Sequence, residues 1–349
     1  MTTLDTDRVL EVAETSPEAM YDLFEEHGWG DGLPLVPPTT ERVDAMLEHA
    51  AGDADEALGV LPPRSGEVTR RIVAVNAVLA GCKPEYFPVV LTAARALALP
   101  EVNLRGVNAT THPVAPLVIV SGDVVRAHGF NAGIGAFGPG NRANATVGRA
   151  VRLVLLHVAG ARPAFGDASS QGQPAKYSYC VAENLDESPW ESFAASEGVH
   201  APSTVTVHCG EGPHNVHDME AEGDPTLVLD KIASAMTSLG MNNAPISQGE
   251  FFLGLGPEHA HVFARHGMER ADIAGYLFNQ ARIPAHVFHR HFEERAWDEW
   301  MKLVAPDDVL PMTGHPDNIK VFVVGGAGKH SSLIPSWGMT KSVTLPVEG

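Results

Sequence analysis

The chain has 349 residues, of which 44% are hydrophobic and 19% charged, with 34 glycines, 26 prolines, 17 histidines and three cysteines. That apolar fraction excludes disorder as the main state, and the unperiodic Gly and Pro exclude collagen-like and coiled-coil folds. The formal net charge of −19 argues against nucleic acid and anionic membranes as partners, because a polyanion is repelled globally and no basic run overrules it. At about 150 residues per domain, the length suggests two domains or one large α/β unit. Cys82, Cys180 and Cys209 cannot build a disulfide framework and fit a reducing compartment. The N-terminal MTTLDTDRVLEVAET has no signal-peptide core, and the longest apolar runs, such as 115–120, fall far short of the roughly 18 residues that span a bilayer. The expectation is a cytoplasmic protein with no membrane contact.

Residues 7–27 carry a modest helical pattern, and the Gly/Pro-dense GWGDGLPLVPPTT (28–40) must be an arm or loop. Thr39 or Thr40 opens a short helix to about Ala51, and GDADEALGVLPPRSG reads as a linker. Val68, Ile72, Val75 and Leu79 recur at helical spacing, with Gly81 placed as a C′ glycine. Pro84 suits the first position of the next helix, which Pro88 makes start late or kink. APLVIV (115–120) is a buried strand, followed by the Gly-rich NAGIGAFGPGNRANATVGRA and a helix over about 145–158. The irregular stretch 160–200 suggests a soft boundary. STVTVHC (203–209) alternates as a strand, and Asp224-Pro225 starts a helix that Gly240 stops. A strand at 250–256, helices at 257–267 and about 269–281, a strand at 318–326 and a closing strand in MTKSVTLPV complete the chain. This alternation predicts an α/β fold, a mixed sheet with flanking helices, in two subdomains. The expected division is 1–165, an irregular connector 166–200, and 201–349, and no short internal repeat is visible.

Several segments have the residue types that chemistry needs. Cys82 lies between two helices beside Lys83, where a helix N-terminus would stabilise a thiolate; the competing reading is a buried small hydrophobe. FGPGNRANATVGRA (137–150) reads as an anion cradle, with Gly138 and Gly140 admitting a ligand and Arg142, Asn144, Thr146 and Arg149 holding it. An ordinary glycine turn with a capped helix is the alternative. VVGGAGKHSS (323–332) fails the P-loop pattern, since His330 follows Gly-Lys, so no ATP is expected. Lys329 and His330 suit an anion-contacting turn. GIGAFG (133–138) lacks the strand and acid of a dinucleotide fingerprint, so no NAD is expected either.

His208, Cys209, His214 and His217 lie within ten residues and suit Zn or Fe, although a polar loop with surface histidines explains them equally. In PEHAHVFARHG (257–267), Glu258 and His259 occupy a first helical turn, and His259 shares a face with Val262 and His266. A helix N-terminus favours a neutral imidazole there, fit to act as base or ligand. His112 offers another base, and Asp31 and Trp29 in the glycine-rich arm could close over a site. HVFHRHFEERAWDEW (286–300) is amphipathic and reads as a surface or an interface.

AVNAVLAGCKPEYFPVV, GPGNRANATVGRA, EGPHNV, GPEHA and VVGGAGKHS together resemble a little-characterised bacterial family associated with UGSC-motif (seleno)proteins. The resemblance runs from the GWGDGLP arm to the C-terminal strand. It implies a thiol-redox partner, with Cys82 as the matching thiol, and leaves His208 and Cys209 outside its motifs.

Three functions are in view. The first is an enzyme on a small organic anion, with Cys82 as nucleophile or redox thiol, His112 or His259 as base, and the 137–149 loop with Lys329 holding the charge. The second is a metal-dependent lyase or hydrolase using His214, His217 and His259, with Glu258 as base. The third is a non-catalytic subunit or small-molecule carrier that completes a partner's site, and assembly with further copies of itself stays open in each case. Glycines and histidines concentrated in loops after strands favour an enzyme.

Overall fold

The computed structural model describes residues 9–220, 223–243, 249–289, 305 and 307–348. Most of the amphipathic 286–300 segment, with Trp297 and Trp300, lies outside the described residues. The strands in chain order are β1 Ala57–Leu61, β2 Gly66–Thr69, β3 Ala115–Gly122, β4 Cys180–Ala182, β5 Ser203–Gly210, β6 His214–His217, β7 Phe251–Leu255, β8 Arg282–Pro284, β9 Val309–Pro311, β10 Ile319–Val323, β11 His330–Pro335 and β12 Val343–Pro346.

Two four-stranded mixed sheets, β12-β5-β3-β4 and β10-β7-β11-β6, form the centre. Strand alternation gives each sheet two apolar faces. Ala115, Leu117 and Ile119 of β3 meet Phe252, Phe322 and Ile334 of the other sheet in an inner core. Val118 and Val120 face outward against the first set of helices, and Phe251, Leu253 and Leu255 face outward against the second. The result is four layers, helices–sheet–sheet–helices, and the chain is α/β as its alternating pattern predicts.

Local signals explain the helix ends. Thr69 caps helix Arg70–Ala80 by accepting from Ile72 N, and Gly81 closes it with φ 85°. Pro84 opens a single 3₁₀ turn, so the helix proper starts late, at Phe87, with Pro88 in its first turn. Asn141 caps helix Arg142–Val154, which extends through a π turn to Ala159. No described helix is by itself long and apolar enough to cross a membrane.

The strand registers reveal a duplication. β3 pairs parallel with β4 and antiparallel with β5, which pairs antiparallel with β12. β7 pairs parallel with β10 and antiparallel with β11, which pairs antiparallel with β6. The registers superimpose as well: Val118 faces Cys180 and Val207, which faces Val343, as Leu253 faces Val321 and Leu333, which faces His214. Each half lends its last strand to the other, since β6 follows β5 but joins the second sheet, and β12 follows β11 but joins the first. The halves touch at an antiparallel bridge between Gly210 and Ser336, the corresponding ends of β5 and β11. A sequence echo survives after β3 and β7, in VVRAHG (124–129) and VFARHG (262–267).

This arrangement corrects the expected division into 1–165, 166–200 and 201–349. β5 and β12, both in the expected C-terminal region, belong to the N-terminal sheet, and the connector supplies β4. The expected linker 52–66 contains most of the β1–β2 hairpin. β6 and β11 replace what read as polar loop and glycine turn.

Candidate functional site

The 131–150 segment closes on the protein itself. Asn144 is buried and holds the loop by donating from Nδ2 to the carbonyls of Asn131 and Ala136, while its Oδ1 accepts from Asn131 N. Arg142 donates to Gly81 O at 3.0 Å, and the Thr146 hydroxyl donates to Arg142 O. Arg149 makes a two-pronged ion pair with Asp31, both bonds at 2.8 Å, and also donates to Leu33 O. Gly138 N closes a turn on Gly135 O, and Gly140 takes φ 108°. The polar side chains assigned to an anion cradle are therefore committed to scaffolding.

The same contacts tie the arm to the body of the protein. Besides Arg149, the Arg162 guanidinium donates to Gly28 O, and His157 Nε2 lies 2.8 Å from Trp29 O. Burial pushes His157 down to about 4.

Cys82 departs from the activated-thiol expectation. It is 6% exposed inside the first-half core, and burial pushes its thiol up to about 12 despite the Thr146 hydroxyl and Arg142 nearby. Neither His112 nor His259 hydrogen-bonds to it. His112 pairs through Nε2 with Glu211 at 2.9 Å. We expect native Cys82 to resist a thiol reagent such as dithionitrobenzoate at pH 8 and to react on unfolding. Stoichiometric labelling of the folded protein at Cys82 within minutes would contradict this.

The presumed metal set is also dispersed. His208 and Cys209 lie on β5, whereas His214 and His217 lie on the exposed strand β6 of the other sheet. The His217 and His330 rings are cross-strand neighbours with centroids 5.7 Å apart, and His330 Nδ1 is 3.0 Å from Asn215 Oδ1. Among the described residues, no three His, Cys, Asp or Glu side chains converge as a metal-binding group.

Three elements do converge around a cleft of about 260 Å³, with His261, Val262, Arg265 and Lys329 on its walls. They are helix Pro257–Arg265 after β7, the turn between β10 and β11, and Asp218 just past β6. The helix starts close to β11, since a Cβ on Gly256 would lie 2.1 Å from His330 O. Gly256 N donates to Ser331 Oγ, which lies 2.8 Å from His259 Nδ1. The Ser331 proton is thus left for Nδ1, and His259 Nε2–H donates to Asp218 O at 3.3 Å. Burial holds the ring below the ordinary histidine range. His259 is neutral and bonded at both nitrogens, so it positions three strand ends and does not serve as a free base.

Both cleft carboxylates have partners, a cation for Asp218 and two backbone amides for Glu258. Asp218 is buried and ion-paired with Lys231. Glu258 Oε2 accepts from Gly328 N and Lys329 N, each at 2.5 Å, and these amides, Gly328 first, hold it below the usual carboxylate range. The Lys329 ammonium donates to Met219 O at 3.2 Å. Arg265 and His261 make no hydrogen bond or ion pair among the described residues.

Arg265, Asp218 and His261 are cleft residues that the sequence reading assigned to no site. A signal for Arg265 existed, because Glu258, His261 and Arg265 follow i, i+3, i+7 spacing and share one helix face. The duplicated framework shows what is particular to this half. The first-half helix Asp123–His128 has 6 residues against 9 here. The backbone bond Asp218 N to Lys329 O corresponds to Val347 N to Ser203 O, so valine and serine occupy the places of the aspartate and lysine. Compared with known proteins, the chain matches no family model and no curated sequence.

Proposed function

We propose that the chain is an enzyme acting on a small organic anion, a carboxylate or phosphate, bound in this cleft. One observation carries the reading. In a chain of net charge −19, the cleft presents the Arg265 guanidinium, which has no ion pair among the described residues, while Asp218 is ion-paired with Lys231 and Glu258 is held by two backbone amides. Such a site attracts an anion locally against the field of the whole molecule. Its volume, about 260 Å³, leaves room for a small organic anion.

Each group has a role. Arg265 offers the planar fork that matches a carboxylate or phosphate. Lys329 adds a point charge. His261, with no described partner on its ring, is the imidazole placed to take or give a proton. Cys82 has no part in this scheme, because a buried thiol with its proton affinity raised is a poor nucleophile.

The test is depletion of compounds from a defined mixture of small organic acids and phosphate esters, followed by mass spectrometry. Wild-type protein is expected to consume at least one compound, His261→Ala to consume it at least a hundredfold more slowly, and Cys82→Ala to match wild type. Equal turnover by His261→Ala, or loss of turnover in Cys82→Ala with the fold intact, would overturn these roles.

A further inference from the structure

The turn between β10 and β11 has a feature that anion binding in the cleft does not by itself require. Gly328 N–H and Lys329 N–H both point at one oxygen, the arrangement of a backbone nest for anions. Lys329 holds φ 56° to aim its amide, in a region that side chains other than glycine enter at a cost of about 1 kcal/mol or more. The oxygen in the nest belongs to Glu258, so the protein supplies its own carboxylate to a seat built for one.

We propose that this nest is the seat of the substrate's carboxylate, and that Glu258 fills it until the substrate displaces it. The inference rests on the proposed anion-binding reading of the cleft. Glu258 and Arg265 border the same space, so an anion drawn in by the Arg265 guanidinium arrives beside the Glu258 carboxylate. Two carboxylates cannot share one pair of amides without strong repulsion. A bound carboxylate gains the two amides together with Arg265, whereas a displaced Glu258 side chain is free to turn toward solvent. Once out of the nest, Glu258 loses the two N–H bonds that hold its proton affinity down. It regains an ordinary carboxylate's affinity for protons while the substrate is present. A resting seat filled by an internal carboxylate also discriminates, because single-point anions such as chloride must displace an oxygen that is already well bound.

The competing role for Glu258 is a latch that only ties the helix to the turn, and two variants separate the possibilities. Glu258→Ala empties the nest and removes the charge. Glu258→Gln removes the charge but keeps an amide oxygen of the same shape in the nest. The experiment is succinate titration by calorimetry, with ¹⁵N amide spectra of the full chain. Glu258→Ala is expected to bind succinate at least tenfold more tightly than wild type, with the Gly328 and Lys329 amide signals shifting on binding. Glu258→Gln is expected to gain clearly less than Glu258→Ala, because its amide oxygen still occupies the nest although the charge is gone.

No gain in Glu258→Ala would overturn the nest assignment. So would an equal gain in Glu258→Gln, which would make charge the only cause, or a gain without shifts at those two amides. If wild type binds succinate and Arg265→Ala does not, while Glu258→Ala gains nothing, the cleft reading stands and the nest fails alone. If no form binds succinate or inorganic phosphate, the cleft reading fails and takes the nest with it.

Discussion

Replacing Asp167 by Asn is expected to destabilise the protein by about 3–5 kcal/mol, the cost of leaving a buried charge uncompensated. The Asp167 side chain is only 4% exposed, and its Oδ2 accepts from Arg152 at 2.9 Å and from Lys176 at 2.7 Å. Its Oδ1 accepts from Ser169 N. Burial alone would raise its proton affinity, but Lys176 and Arg152 outweigh that and hold the carboxyl below the usual range. An Asn side chain keeps the shape and one acceptor but leaves two enclosed cations facing each other. The pH dependence has a definite sign. A carboxylate whose folded pKa is depressed contributes its stability above the unfolded value near 4, and that contribution is lost as pH falls through the folded pKa. Urea unfolding at pH 7 and at pH 3 should therefore show a large wild-type-to-variant gap at pH 7 that narrows in acid. A gap below 1 kcal/mol at pH 7 would show that solvent reaches the cluster.

The second large effect concerns His208 and Glu250, between the two sheets. His208 is fully buried, stacks on Phe252 with centroids 4.1 Å apart, and has no hydrogen-bond partner at either ring nitrogen. Its Nδ1 is 3.8 Å from the Glu250 carboxylate, which accepts from Ser342 N at 2.8 Å. The duplication supplies an internal control. His208 faces Leu117 across its ladder as Ile334 faces Phe252, so Ile334 is its counterpart. Ala115, two residues before Leu117, is the counterpart of Glu250. Two equivalent positions between the sheets, each formed by one residue from either half, thus hold an apolar pair, Ala115 and Ile334, and a costly polar one, His208 and Glu250.

His208→Ile alone should cost about 3–5 kcal/mol, because Glu250 then keeps its buried charge without the imidazole. Adding Glu250→Ala copies the equivalent Ala115–Ile334 pair and should restore wild-type stability or exceed it, since exchanging a buried polar pair for well-packed apolar groups is often neutral or stabilising. A denaturant double-mutant cycle measures both. A double variant as unstable as the sum of the singles would contradict the pairing.

Much of the layer structure could be read from the sequence because its elements bury one consistent face. Helix Arg70–Ala80 announced itself by spacing, and Gly81 by its place after the last apolar residue. β3 was visible as an unbroken apolar run and β10 as an apolar run interrupted only by Lys320, since both of their faces are covered. β6 was not, because only Val216 of HNVH turns inward, and β11 begins His-Ser-Ser before its apolar end. The duplication was hidden for a related reason: its halves agree in register, and register depends on which face is buried, not on residue identity.

The site was legible in part. Glu258, His259 and Lys329 were singled out and do meet, but sequence could not show that His259 is consumed by Ser331 and the Asp218 carbonyl. Arg142, Asn144 and Arg149 have the residue types of an anion cradle, yet they spend their donors on backbone carbonyls and on Asp31. Spacing alone does not reveal whether a polar group is already satisfied.

The most direct test is equilibrium binding of inorganic phosphate and a panel of small mono- and dicarboxylates to wild type and Arg265→Ala, followed by calorimetry at low and physiological salt. The account predicts at least one anion that binds wild type at one equivalent, more weakly as salt rises, and at least tenfold more weakly to Arg265→Ala. Anions that bind both proteins alike, or neither, would contradict it.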